Sequence, residues 1–287
     1  MGQHRHELGP ASDLDLGRAR IRYHDSGSGP PVVFLHGLLV NADLWRHVVP
    51  HVHEAGHRCL APDLPLGAHS LPVPEADLSP PAVADLVGAF LEELELTDVT
   101  LVANDTGGAL AQILMTRDPG RIARVVLTPS DSYERFLPAF FAALPPLARI
   151  PGAVSVLSEV LQRPVLRSVL FSSVACREIP REVLDSWTRP CREPGVREDL
   201  RRFLRGVDKR HTLAAARAFA HVTVPVLVVW AREDLLFPER DAHRLAGDLA
   251  NAAVTVLDGS RTFVPEDRPR ALARLVVDVA EQHAGNG

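Results

Sequence analysis

The segment V-T-L-V-A-N-D-T-G-G-A-L-A-Q places Asp105 where a β-branched apolar run passes directly into a helical pattern. Ala103 lies two residues before it and Gly107 two after it. Small residues at those places permit a strand-to-helix turn tight enough for neighbouring backbones to meet. Such a turn lifts the side chain above the sheet, at a helix N-terminus whose free N–H groups stabilise an anion. A carboxylate presented this way is a nucleophile or a base; the alternative is an N-cap aspartate in an ordinary turn. A second acid, Asp234, follows the apolar run 226–230 and precedes Pro238 by four residues. His36-Gly37 ends another apolar run, V-V-F-L-H.

The elements that position these residues read as an alternation of short apolar runs and helical patterns, the signature of a mostly parallel α/β sheet. Strands are expected at 18–24, 32–36, 57–62, 99–103 and 122–127, with helices at 43–53, 79–94 and 107–117 between them. Ser79, Pro80 and Pro81 suit a helix start, the serine as N-cap and the prolines in the first turn. From about Ser132 to Thr212 the pattern is helical only. Alternation then resumes with strands at 226–230 and 253–257, and helices at 239–249 and 266–283. One sheet-bearing core, residues 1–131 and 213–287, with a helical insertion at 132–212, is the expected organisation.

A chain of 287 residues with 46% hydrophobic and 23% charged residues buries a sizeable core without staples. A net charge of −5 gives no basic face for nucleic acid. Cys59, Cys176 and Cys191 lack metal-ligand spacing and read as reduced thiols of a cytosolic protein. Met1 to Pro10 has no apolar core and does not read as a secretory signal, and no apolar run is long enough to span a membrane. His4 and His6 read as part of a solvated tail rather than a metal pair. No dinucleotide glycine fingerprint and no clustered metal ligands are present, so no cofactor and no metal are expected.

Taken together the motifs resemble the α/β-hydrolase superfamily over nearly the whole chain. His36-Gly37 with Trp45 beyond it is similar to that superfamily's oxyanion loop, P-D-L-P-L-G-A-H-S (62–70) to its post-strand loop, and the Asp234 segment to its acid-bearing turn. An aspartate at the nucleophile elbow resembles the haloalkane dehalogenase and epoxide hydrolase branch. The resemblance implies an eight-stranded, mostly parallel sheet with a helical cap, and a small-molecule substrate. It further implies Asp105 as nucleophile, Asp234 as the acid orienting a histidine, and the Leu38 and Thr106 backbone N–H groups as oxyanion donors.

The pattern breaks at D-G-S-R-T-F-V-P-E-D-R-P, where Thr262 stands at the place of the family's histidine. Threonine is no base near neutral pH. Thr106 replaces the tryptophan that dehalogenases place after the nucleophile, and Leu38 the asparagine they often carry after His-Gly. Only Tyr133 lies near the cap to serve as an epoxide hydrolase acid. His36, Asn41, His69, Tyr133 and Trp187 are the remaining pocket candidates, with His69 the candidate substitute base. The apolar stretches 136–148 and 153–161 suit the roof of a hydrophobic pocket or simple packing on the core. The arginines between 192 and 210 alternate with acids and read as an ion-paired helix face rather than an anion site. An enzyme acting on a small, largely apolar molecule leads, hydrolytic or not; a catalytically silent binding or regulatory protein is the second reading.

Overall fold

The computed structural model describes residues 7–282, so His4, His6 and His283 lie outside the described residues. Eight strands form one sheet: β1 (Ala11–Asp15), β2 (Arg20–Ser26), β3 (Pro31–Leu35), β4 (Arg58–Pro62), β5 (Val99–Asp105), β6 (Ile122–Ser130), β7 (Val226–Ala231) and β8 (Ala252–Leu257). Their spatial order is β1-β2-β4-β3-β5-β6-β7-β8. β1 and β2 pair antiparallel, as do β2 and β4, and every other pairing is parallel. Helices α1 (Val49–Glu54), α2 (Pro80–Glu93) and α3 (Thr106–Arg117) lie among the first six strands. Between β6 and β7 come α4 (Leu144–Leu147), α5 (Ala153–Leu161), α6 (Pro164–Ser172), α7 (Arg181–Thr188), α8 (Pro194–Gly206) and α9 (Lys209–Ala218). The chain closes with α10 (Glu239–Asp248), α11 (Val264–Asp267) and α12 (Pro269–Glu281).

Strand periodicity of two sorts the core onto two faces. Val33, Leu35, Leu101 and Ala103 pack with Val83 and Val87 of α2, Leu110 and Leu114 of α3, and Leu245 of α10. Val32, Phe34 and Val102 pack with Val49 and Val52 of α1 and with Leu272, Val276 and Val279 of α12. Both faces being covered, the central strands are continuous apolar runs, which is why they are readable in sequence.

Three elements differ from expectation. β1, with the sequence ASDLD, is a polar edge strand with no buried residue, so it lacks the hydrophobic signal of a strand. The helix expected at 43–53 is a 3-10 turn over Ala42–Trp45 followed by α1, whose start is set by Pro50 in its first turn. The helix expected from 266 is divided into α11 and α12 at Pro269, which has no N–H to continue the first segment. Ser79 stands at the N-cap of α2 but makes no side-chain capping bond. The insertion from 132 to 212 holds no strand beyond an isolated bridge between Ser132 and Arg135. Its expected end at Thr212 falls inside α9, which packs on α3. No described helix is long and apolar enough to cross a membrane.

Candidate active site

β3 is followed on one side by β4 and on the other by β5, so the sheet order reverses there. A crevice opens beyond the carboxyl ends of two such strands, because the segments leaving them turn to opposite faces. Gly37 and Leu38 leave β3 at that point, and Asp105 ends β5. Asp105 has φ +53 and ψ −127, a strained backbone for a residue with a Cβ. The strain is held by close packing: a Cβ on Gly107 would lie 2.5 Å from the His36 carbonyl oxygen and 2.7 Å from that of Leu35. A Cβ on Gly37 would collide with Asp105 Oδ2. Only glycine admits both approaches.

The carboxylate accepts a hydrogen bond from the Leu38 N–H at 3.0 Å. Burial pushes the Asp105 carboxyl up to about 6; the Thr106 and Leu38 N–H groups oppose the rise, and the charge of Asp234 adds to it. Asp234 sits in the turn after β7, its Oδ1 accepting from the N–H of Leu236 at 2.7 Å and of Phe237 at 2.9 Å. The Thr262 hydroxyl donates to the same oxygen at 3.0 Å. Asp234 Oδ2 is buried without a partner, and burial raises this carboxyl also to about 6. Thr262 is wholly buried, and its carbonyl accepts from Asn104 Nδ2 at 2.7 Å, which ties its loop to the residue preceding Asp105.

A third acid escaped the sequence reading. Asp131, one residue past β6, is fully buried and accepts from the Thr106 hydroxyl at 3.0 Å. Its other oxygen has no partner, and burial together with the nearby Asp105 charge holds its carboxyl well above the usual range. Its signal was positional: it follows the strand paired with β5, and Ser130 is in register with Asp105. Thr106 thus gives its backbone N–H to one acid and its hydroxyl to another.

Asp105 lines a cavity of about 30 Å3 whose other walls are Leu38, Leu39, Leu137, Pro138, Phe141, Leu170, Phe171, Val174, Leu236 and Phe263. Residues 136–148 supply three of these walls. The stretch 153–161 supplies none, and instead exposes Val156 and Val160. None of His36, Asn41, His69, Tyr133 or Trp187 lines this cavity. His36 Nε2 accepts from the Leu64 N–H at 2.8 Å and Nδ1 bonds the Gly37 carbonyl, while burial lowers its pKa to about 4, so it holds the loop as a neutral ring. Asn41 caps the turn at Asp43 and donates to the Ser186 carbonyl at 3.2 Å. His69 Nε2 lies 3.2 Å from Asp199 of α8, and its Nδ1 accepts from the Gly67 N–H. Both its nitrogens are therefore engaged away from Asp105. The Tyr133 hydroxyl donates to Asp248 at 2.7 Å, directing the side chain to α10. Trp187 stands behind the cavity wall, with ring centroids 5.3 Å from Phe171 and 5.8 Å from Phe263. Arg201 pairs with Glu198 and Arg202 with Asp199, giving α8 an ion-paired face.

Residues 30–269 match the family described as alpha/beta hydrolase fold. A haloalkane dehalogenase of Mesorhizobium japonicum is 29% identical, over 92% of this chain and 89% of its own length. Among solved structures, an alpha/beta hydrolase fold protein from Burkholderia ambifaria superposes with a TM-score of 0.79 at 24% identity, covering 94% of this chain and 100% of that one. The haloalkane dehalogenase DatA from Agrobacterium tumefaciens superposes with a TM-score of 0.78 at 24% identity, over 94% and 96%.

Proposed function

We propose a function from one premise: the chain belongs to the alpha/beta hydrolase fold family. It is an enzyme that takes a small, largely apolar organic molecule between the sheet and the helical cap, with Asp105 as nucleophile or general base. The observation that carries this reading is a single strained carboxylate, held on backbone N–H groups, in a cavity whose other walls are apolar. The reading calls for no cofactor and no metal, and for no nucleic-acid or membrane partner; the site of action is the cytoplasm.

As nucleophile, one Asp105 oxygen attacks an electrophilic carbon of the substrate, and the leaving group departs with the bonding electron pair. The product is an alkyl ester whose carbonyl oxygen rests on the Leu38 and Thr106 N–H groups. Hydrolysing that ester requires a base to take a proton from water. The Thr262 hydroxyl instead donates a hydrogen bond to Asp234, and His69 is engaged with Asp199. Discharge is accordingly slow, and chemistry in which Asp105 only moves a proton is equally open to this site. Dehalogenation is disfavoured: no cavity side chain offers an N–H to a departing halide, and the Thr106 hydroxyl is spent on Asp131.

The test is intact-mass spectrometry after incubation with alkyl halides, epoxides and activated esters. A persistent adduct that is absent from Asp105→Asn is expected, and Thr262→His is expected to release it. No adduct and no turnover across the panel would discard the nucleophile. The second reading, a binding or regulatory protein without turnover, is favoured by the Thr262–Asp234 bond, which occupies one oxygen of the acid without a histidine. Ligand binding that leaves every ligand unchanged would select it.

A further inference from the structure

A cavity of about 30 Å3 has room for no more than a few water molecules. A substrate of ordinary size must therefore extend through one of its walls. Phe171 of α6 is a wall of that cavity and also of a second, open cleft of about 440 Å3. The chemistry of the cleft is different. Arg167, Arg177, Arg181 and Arg261 line it, with Glu178 as the one acid among its lining residues.

Two of these arginines carry an unused donor. Arg167 is 4% exposed; its NH1 group donates to Asp185 at 2.6 Å and to Thr188 at 3.1 Å, and its Nε is buried without a partner. Asp185 also pairs with Arg189 at 2.7 Å, so two guanidinium groups share one carboxylate. Arg261, adjacent to Thr262, donates through NH1 to the Ser172 carbonyl, and its Nε is again buried without a partner. Buried donors are rarely left without an acceptor, be it a protein group, an ordered water or an ion. Guanidinium edges of this kind match the geometry of a carboxylate or phosphate.

We infer that this cleft is the anion subsite of the enzyme. The substrate is an anionic amphiphile, with its carboxylate or phosphate head on Arg167, Arg177, Arg181 and Arg261 and its apolar body passing Phe171 toward Asp105. Phe171 is the door between the two spaces. The inference rests on the reading that the Asp105 cavity is the substrate site, but it needs no covalent step.

Octanoate, octyl phosphate and octanol are the probes, titrated into the whole protein while the fluorescence of Trp187, whose ring packs at a tilt against Phe171, is followed. Trp187→Phe identifies its share of the signal. Saturable binding of an anionic probe, at least tenfold tighter than octanol, is expected. The exposed pair Arg177→Gln/Arg181→Gln, which leaves the buried contacts intact, is expected to weaken the anionic probe about tenfold and leave octanol unchanged. Tighter octanoate assigns a carboxylate head, and tighter octyl phosphate a phosphate head. Equal binding of octanol and both anions, or no effect of the double variant, would overturn the inference and leave the arginines as solvated surface. Asp105→Asn is expected to retain anion binding. Anion binding without any adduct at Asp105 would therefore remove the nucleophile and keep the subsite, whereas an adduct without anion selectivity would do the reverse.

Discussion

At the scale of single residues, the site stores cost in its acids. The Asp105 carboxyl has an ordinary value of 3.8 and stands at about 6 in the fold, because burial penalises its charged form. A raised acid binds its proton more tightly folded than unfolded. Its contribution to stability is therefore full below about pH 4 and lost as pH rises through about 6. Asp105→Asn removes that titration while keeping the shape. Urea unfolding is expected to show the variant more stable than the parent by about 1–3 kcal/mol at pH 8 and nearly equal to it at pH 4. A difference of the same size at both values would mean that the charge of Asp105 is not what the fold resists. With Asp105 in the proposed role of nucleophile, adduct formation is expected to rise through about pH 6. Asp105 and Asp234 were legible in the sequence because each follows an apolar strand, and Thr262 because its flanking residues keep a motif. Asp131 was not, since nothing in its neighbours S-D-S marks a buried acid. The roles of His69 and Tyr133 were hidden as well, because their partners Asp199 and Asp248 lie more than a hundred residues away along the chain.

At the scale of elements, the elbow exists because β5 runs into α3 beneath the backbone leaving β3. A methyl group on Gly107 would meet the carbonyl oxygens of Leu35 and His36, which belong to the strand end and cannot step aside. Gly107→Ala is expected to destabilise the protein by about 1–3 kcal/mol and to lower the adduct yield at Asp105. Gly247→Ala in α10 is the control: a Cβ there meets nothing within 4 Å, and the change is expected to stabilise by about 0.5–1 kcal/mol. Urea midpoints that move the same way for both variants would deny the close approach its role. The central strands and the helices covering them were readable because burial on both faces writes a continuous apolar run. β1 was not, since an edge strand with no buried residue carries no such run. The cap gave its helical character but not its working residues. Leu170, Phe171 and Val174 enter the cavity wall by the docking of α6 and the turn after it, which local periodicity does not encode.

At the scale of the whole molecule, the helical segment between β6 and β7 is tied to the loops around it by buried acids that accept from backbone and side-chain donors. Asp199 joins α8 to His69 and to the Val73 N–H at 2.8 Å. Asp43 accepts from the Ser186 hydroxyl at 2.5 Å. Asp267 makes the most consequential tie: it accepts from the N–H groups of Cys176 at 2.8 Å and Arg177 at 2.9 Å in the cap, and of Arg261 at 2.9 Å in the loop that carries Thr262. A parallel backbone bond from the Phe263 N–H to the Val174 carbonyl, at 2.7 Å, joins two cavity walls. One carboxylate therefore fixes the cap edge and the Thr262 loop relative to each other, and with them the wall that separates the cavity from the arginine cleft. Asp267→Ala leaves three N–H groups without their acceptor, at a cost of about 1–3 kcal/mol for each that water does not reach. Hydrogen exchange at Cys176, Arg177 and Arg261 is expected to accelerate at least tenfold, while the amides of β5 and β6 keep their protection. Unchanged exchange at those three positions would show that the cap holds its place without this carboxylate. Acceleration spread equally into β5 would show instead that cap and core open as one unit, in which case substrate entry past Phe171 would require the whole molecule to loosen.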